Sequence, residues 1–94
     1  MEFEFNPEKS IANKRKHGVS LEEAVGLWSV ANVQIKARIS DEPRFMIIGK
    51  LGHKFYSCIY TVRGESIRLI SARRSRAKEE EIYHEHIRQK KSDS

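Results

Sequence analysis

Residues 45–73, FMIIGKLGHKFYSCIYTVRGESIRLISAR, decide the fold. Aromatic and β-branched residues fill three runs, Phe45 to Leu51, Lys54 to Val62 and Ile67 to Arg73, as half-buried strands require. The breaks between them, Gly52-His53 and Arg63-Gly64-Glu65-Ser66, have the length and glycine content that join antiparallel hairpins. A fourth run from Asn32 to Ile39, set off by the polar turn Ser40-Asp41-Glu42-Pro43, adds a strand to the meander.

Upstream of these strands the pattern is helical. Phe3 and Phe5 alternate with Glu2 and Glu4 as in a short strand with one buried face, ending at Asn6-Pro7. Asn6 is a good helix cap and Pro7 suits a first turn, so a helix is expected from about Pro7 to Lys16, stopped at Gly18. Ser20-Leu21-Glu22-Glu23 has the spacing of a capping box, with Val19 placed to staple back near Ala24. Leu21, Ala24, Val25 and Trp28 then share one face of a second helix, with Trp28 as an anchor on the sheet. At the other end, Ser75 is placed to cap a helix from about Arg76 to Gln89 with Ile82, Tyr83, His86 and Ile87 inward, and Lys90 to Ser94 should fray. The expected fold is α+β: one domain over residues 1–94, an antiparallel sheet, two N-terminal helices and one C-terminal helix, with the helices mainly on one face.

Ninety-four residues support a single core, so any site must lie on its surface. Lys and Arg number 18 against 13 acidic residues, a net charge of +5, which makes a polyanion the natural partner to suspect. The lone Cys58 excludes an internal disulfide and sits in an apolar run, in keeping with a reducing cytoplasm. No basic segment leads into an apolar stretch and no run approaches the roughly 20 apolar residues of a membrane span, so neither export nor membrane insertion is expected.

His17, His53, His84 and His86 form no ligand frame with one cysteine, and phosphate-binding loops, nucleophile elbows and dinucleotide fingerprints are absent, so neither metal nor cofactor is expected. What stands out is cationic: Lys9, Lys14, Arg15, Lys16 and His17 around the first helix end, then Arg63, Arg68, Arg73, Arg74, Arg76 and Lys78 with Glu65 as the sole acid among them. Guanidinium groups grip phosphate bidentately and stay charged at cellular pH. The plainer reading of Arg74, Arg76 and Lys78 is a solvated face paired with Glu79, Glu80 and Glu81. Arg73 differs, because it ends an apolar strand beside a helix start, where a rigid scaffold can aim it.

Cleaving RNA without a metal takes a base for the 2′-hydroxyl, a cation on the non-bridging oxygens and an acid for the leaving 5′-oxygen. His17, Glu65, Tyr60, Tyr83 and the lysines are the available proton carriers, and His17 is equally readable as a helix C-terminal residue stabilised by the dipole.

The chain resembles the BrnT family of type II toxins, related to the RelE-like ribonucleases. The residues that carry the likeness are Phe3-Glu4-Phe5-Asn6 with Lys9, Asn13, Lys16-His17-Gly18-Val19 and Glu22-Glu23-Ala24 in the first half. Arg44-Phe45, Gly49, Tyr60-Thr61-Val62-Arg63-Gly64, Ile67 to Arg73, and Glu79 with Tyr83 carry it in the second. Phe5, Ser75 and Glu80 depart from the family, which often has Trp, Ala and Arg there. The resemblance implies a RelE-like fold, RNA cleavage that shuts down translation, and neutralisation by a BrnA-type antitoxin in a complex of two toxins and two antitoxins. Operator DNA would be reached only through that antitoxin. The expected catalytic residues are Arg73, Arg63, Arg68 and His17, with Lys14, Lys16, Arg74, Arg76 and Tyr83 binding RNA. The alternatives are a non-catalytic module that holds RNA or protein on a basic face, and an adaptor whose basic face only docks an acidic antitoxin segment.

Overall fold

A computed structural model describes residues 1–37 and 41–92. The chain runs β1 (Glu2–Glu4), α1 (Pro7–His17), α2 (Leu21–Ala24), a 3₁₀ segment (Val25–Ser29), β2 (Asn32–Lys36), β3 (Phe45–Leu51), β4 (Lys54–Arg63), β5 (Ser66–Arg74) and α3 (Ala77–Ser92). The end of the expected second-strand run, Arg38 and Ile39, and the first turn residue, Ser40, lie outside the described residues, as do residues 93 and 94. The class is α+β around a five-stranded sheet of order β1-β5-β4-β3-β2.

Strands β2 to β5 form the expected antiparallel meander. Gly52 and Gly64 each open a two-residue hairpin turn with φ near +60°, a conformation that only glycine adopts cheaply and that fits the first position of a type II′ turn. The expectation of a wholly antiparallel sheet fails at β1, which pairs in parallel with β5 through Phe3 and Ile67. The meander brings β5 back beside β1 pointing the same way. The helices must then carry the chain from one sheet edge to the other, four strand spacings or roughly 19 Å.

Helix placement differs as well, because helices cover both faces rather than one. Alternation along β4 and the register of its neighbours send Ile47, Cys58, Tyr60, Leu69 and Ala72 to the side covered by α2 and the 3₁₀ segment, where they join Val19, Leu21, Ala24 and Leu27 in the core. The opposite side holds Ile48, Ser57 and Arg73 in register and meets α3. The continuous apolar run Phe45-Met46-Ile47-Ile48 signals this, since a strand apolar on both faces needs cover on both.

The expected second helix is one α-helical turn that tightens into 3₁₀ winding. Its fully buried residues Leu21, Ala24 and Leu27 are three apart, the spacing that 3₁₀ winding aligns. The capping box is complete: the Ser20 hydroxyl accepts from the Glu23 N–H at 2.9 Å, and Glu23 accepts from the Ser20 N–H at 2.9 Å. Trp28 anchors this element, edge-on to both Phe3 and Tyr60 with ring centres 5.1 Å away.

Helix α1 starts as expected, with the Asn6 side chain accepting from the N–H groups of Glu8 and Lys9. It docks through polar groups. Ser10 is buried and accepts from the N–H groups of Leu21 and Glu22, while Ile11 faces solvent with 61% of its surface exposed. Asn13 bonds Val19 and both backbone groups of Ala72 on β5. Among the described residues no helix is long and apolar enough to cross a membrane.

Candidate active site

Arg68 and Arg73 are five apart, so an unbroken strand would aim them at opposite faces. The β4–β5 register shifts instead: Ile59 faces Ser71, while Tyr60 faces Leu69. The extra residue in β5, Ile70, is a bulge that returns Arg73 to the side of Arg68. Arg63, paired with Ser66 two positions along, lies on that side too. Three of the four expected catalytic residues are therefore brought to one face, the one shared with α3.

Arg73 meets the start of α3 there. Its Nη1 donates to Glu79 Oε1 at 2.8 Å and to the Arg74 carbonyl at 3.1 Å, and its Nη2 donates to Glu79 Oε2 at 2.7 Å. Glu79 Oε1 also accepts from the Ser57 hydroxyl at 2.8 Å and from the Arg76 N–H at 2.9 Å. Ser75, expected to cap α3, bonds Ser57 through its hydroxyl at 2.8 Å. The glutamate takes the capping role, since in the first turn its carboxylate reaches back to the free N–H of Arg76.

Burial alone would raise the Glu79 pKa. The hydrogen bonds from Arg73, the Arg76 N–H and Ser57 outweigh it and hold the carboxyl at about 2. A carboxyl depressed below its ordinary value of 4.5 stabilises the fold above that value and loses its contribution as pH falls towards 2. Acid unfolding should therefore steepen between about pH 4.5 and 2. Glu79→Gln should flatten that limb in a pH series of thermal melts, and an unchanged limb would show that Glu79 does not govern it.

The side chains of the other expected residues stay outside this cluster. Arg63 pairs with Glu42 at 3.0 Å in the open, and Arg68 with Glu4 at 3.8 Å, where both side chains are half-buried. Arg74 is exposed on the opposite face with its guanidinium 5.8 Å from the Tyr56 ring centre. Arg76 is exposed and joins the cluster only through its backbone. The expected pairing of Arg74, Arg76 and Lys78 with Glu79 to Glu81 is not found among the described residues, because Glu79 is committed to Arg73. Tyr83, beyond the cluster on α3, lies edge-on to Phe55.

Lys14, Lys16 and His17 sit on α1, which the Asn13–Ala72 bonds fasten to β5 one residue from Arg73. Lys14 pairs with Glu23 at 2.8 Å, Lys16 is exposed, and His17 is half-buried. Of the remaining proton carriers, Tyr60 is buried with its hydroxyl donating to Gln34, and Glu65 is exposed in a hairpin turn. Burial pushes the Cys58 thiol up to about 12, which leaves it inert.

Ser57 and the contacts that Glu79 makes with it and with Arg73 escaped the sequence reading. A serine amid the apolar run of β4 was the available signal, because a polar residue at such a position needs a partner across the sheet. The residues that meet here, Ser57, Arg73, Ser75, Arg76 and Glu79, all lie within residues 5–79, which match the family described as ribonuclease toxin, BrnT, of type II toxin-antitoxin system. A comparison with curated proteins finds no match. The chain belongs to the BrnT family of ribonuclease toxins of type II toxin-antitoxin systems.

Proposed function

We propose that this chain is a metal-independent endoribonuclease of RelE-like fold that cuts RNA in the cytoplasm, inhibits translation, and is restrained by a BrnA-type antitoxin in a two-to-two complex. The carrying observation is that the β5 bulge turns Arg73 onto the sheet face that Arg63 and Arg68 occupy farther along the same strands. The Arg63–Glu42 pair is open to solvent and so contributes little, and a phosphate can displace the carboxylate at small cost.

In this reading the 2′-hydroxyl of the RNA attacks the adjacent phosphorus, forming a 2′,3′-cyclic phosphate and expelling the 5′-oxygen. A base removes the 2′-proton and an acid returns one to the leaving oxygen, with His17 as the proton carrier assigned to this site. Arg73 lies against the non-bridging oxygens, whose charge grows in the pentacoordinate transition state, with Arg63 and Arg68 in support. Lys14, Lys16, Arg74, Arg76 and Tyr83 hold the flanking strand. The antitoxin inhibits by covering this cationic face, and it alone contacts operator DNA.

Purified, antitoxin-free chain incubated with RNA in EDTA should yield fragments ending in cyclic phosphate, and its expression without the partner should arrest growth. Cleavage that appears only on adding magnesium would overturn metal independence. RNA binding with no cleavage under either condition would leave the non-catalytic binding module in its place.

A further inference from the structure

A guanidinium offers five N–H donors, two of them along each of its two forked edges. In Arg73 the end-on pair, Nη1 and Nη2, is taken by Glu79, and the second Nη1 proton goes to the Arg74 carbonyl. Among the described residues the Nε–H and the second Nη2–H have no partner. These two donors point the same way along the side-on edge, at a spacing that suits two oxygens of one phosphate.

Glu79 is itself fixed. Its carboxylate accepts from Ser57, only 2% exposed, and from the Arg76 N–H, so it cannot swing aside without breaking both bonds and uncapping α3. Ser75 closes the chain through Ser57. The fork of Arg73 is thus held against rotation by a strand, a helix start and a carboxylate, whereas a solvated arginine would pay rotamer entropy on meeting its ligand.

We infer that Glu79 is a positioning residue, which clamps Arg73 end-on so that its Nε–Nη2 edge is left as a side-on oxyanion site for an RNA phosphate. The inference rests on the phosphate role proposed for Arg73 above and adds what sets its orientation. The Arg73–Glu79 pair is then more than a staple between β5 and α3. A lysine at position 73 can keep the ion pair and the staple but has no second edge to offer.

The test uses the full chain, free of antitoxin, and an RNA oligonucleotide methylated at every 2′-oxygen, which binds but cannot be cut by 2′-attack. In nitrogen–proton spectra the Arg73 Nε–H resonance should shift on adding this RNA to the wild type and should not shift in folded Glu79→Gln, whose amide turns a donor towards Nη2. With cleavable RNA, Glu79→Gln should lower kcat by roughly 10-fold to 100-fold with KM changed by less than about 3-fold, the signature of a contact perfected in the transition state. Arg73→Lys should melt near the wild type yet lose at least as much turnover.

Should Glu79→Gln fail to fold, Ser57→Ala, which removes one support of the carboxylate and leaves the ion pair, should give a smaller loss in kcat of the same kind. The clamp is overturned if the folded Glu79→Gln, or in its place Ser57→Ala, keeps kcat within about twofold of the wild type and the Nε–H still shifts. That result leaves the ribonuclease reading standing. Conversely, an Nε–H shift lost in Glu79→Gln, in a chain that never cuts RNA, removes the ribonuclease reading and keeps the clamp.

Discussion

Arg73→Ala is expected to lower the rate of RNA cleavage by on the order of 100-fold to 1000-fold, the loss typical of removing one preorganised stabiliser of developing charge. The variant also takes two of the four hydrogen bonds from the Glu79 carboxylate, which is only 11% exposed. Leaving a charge so placed costs about 1–3 kcal/mol of stability. Turnover must therefore be measured per folded molecule, in single-turnover reactions below the melting range. Combining Arg73→Ala with Glu79→Gln removes the stranded charge and should recover stability without recovering cleavage. Arg76→Ala should do far less, because Arg76 joins the cluster through its N–H, which alanine keeps. A folded Arg73→Ala chain that cuts RNA within about 3-fold of the wild type would remove Arg73 from the reacting centre.

How far this site was readable in advance turns on a single residue. Strict alternation along Ile67 to Arg73 places Arg73 on the side of the core residues Ile67 and Leu69, and Arg68 on the other. The bulge at Ile70 reverses that. Its trace in the sequence is faint: the buried positions step from Leu69 to Ala72, three apart rather than two. The meander and its hairpins were legible because glycine turns and β-rich runs are local signals. The direction of β1 was not, since three residues cannot announce a partner some sixty positions away. Glu79 was visible as a helix-start carboxylate, but its choice of Arg73 over Arg74 or Arg76 depends on which face of β5 meets α3. Electrostatic content could be read from composition, whereas pairing required the fold.

Helix α1 raises the same question from the other side, for its caps were plain while its inward face lacks the usual apolar stripe. Asn13 takes that place. Its Nδ2 donates to the carbonyls of Val19 at 2.7 Å and Ala72 at 2.8 Å, and its Oδ1 accepts from the Ala72 N–H at 3.2 Å. Strand β1 pairs with β5 only as far as Arg68, so beyond it the side-chain amide pairs with Ala72 as a neighbouring strand would. Asn13→Ala leaves one N–H and two carbonyls without partners in a partly buried seam. At about 1–3 kcal/mol for each unmet buried group, discounted because water reaches some of them, the loss should be about 3 kcal/mol. For a domain of this size that lowers Tm by roughly 12–24 °C. Asn13→Asp should be worse at neutral pH, since it keeps the acceptor but turns a carboxylate towards two carbonyls, and it should recover as acid protonates that group. Cleavage should fall along with stability in both variants, because the same amide fastens α1 to β5 at the residue next to Arg73. A Tm for Asn13→Ala within about 2 °C of the wild type would show that the amide contributes nothing net, and that α1 is held by Ser10 and its caps alone.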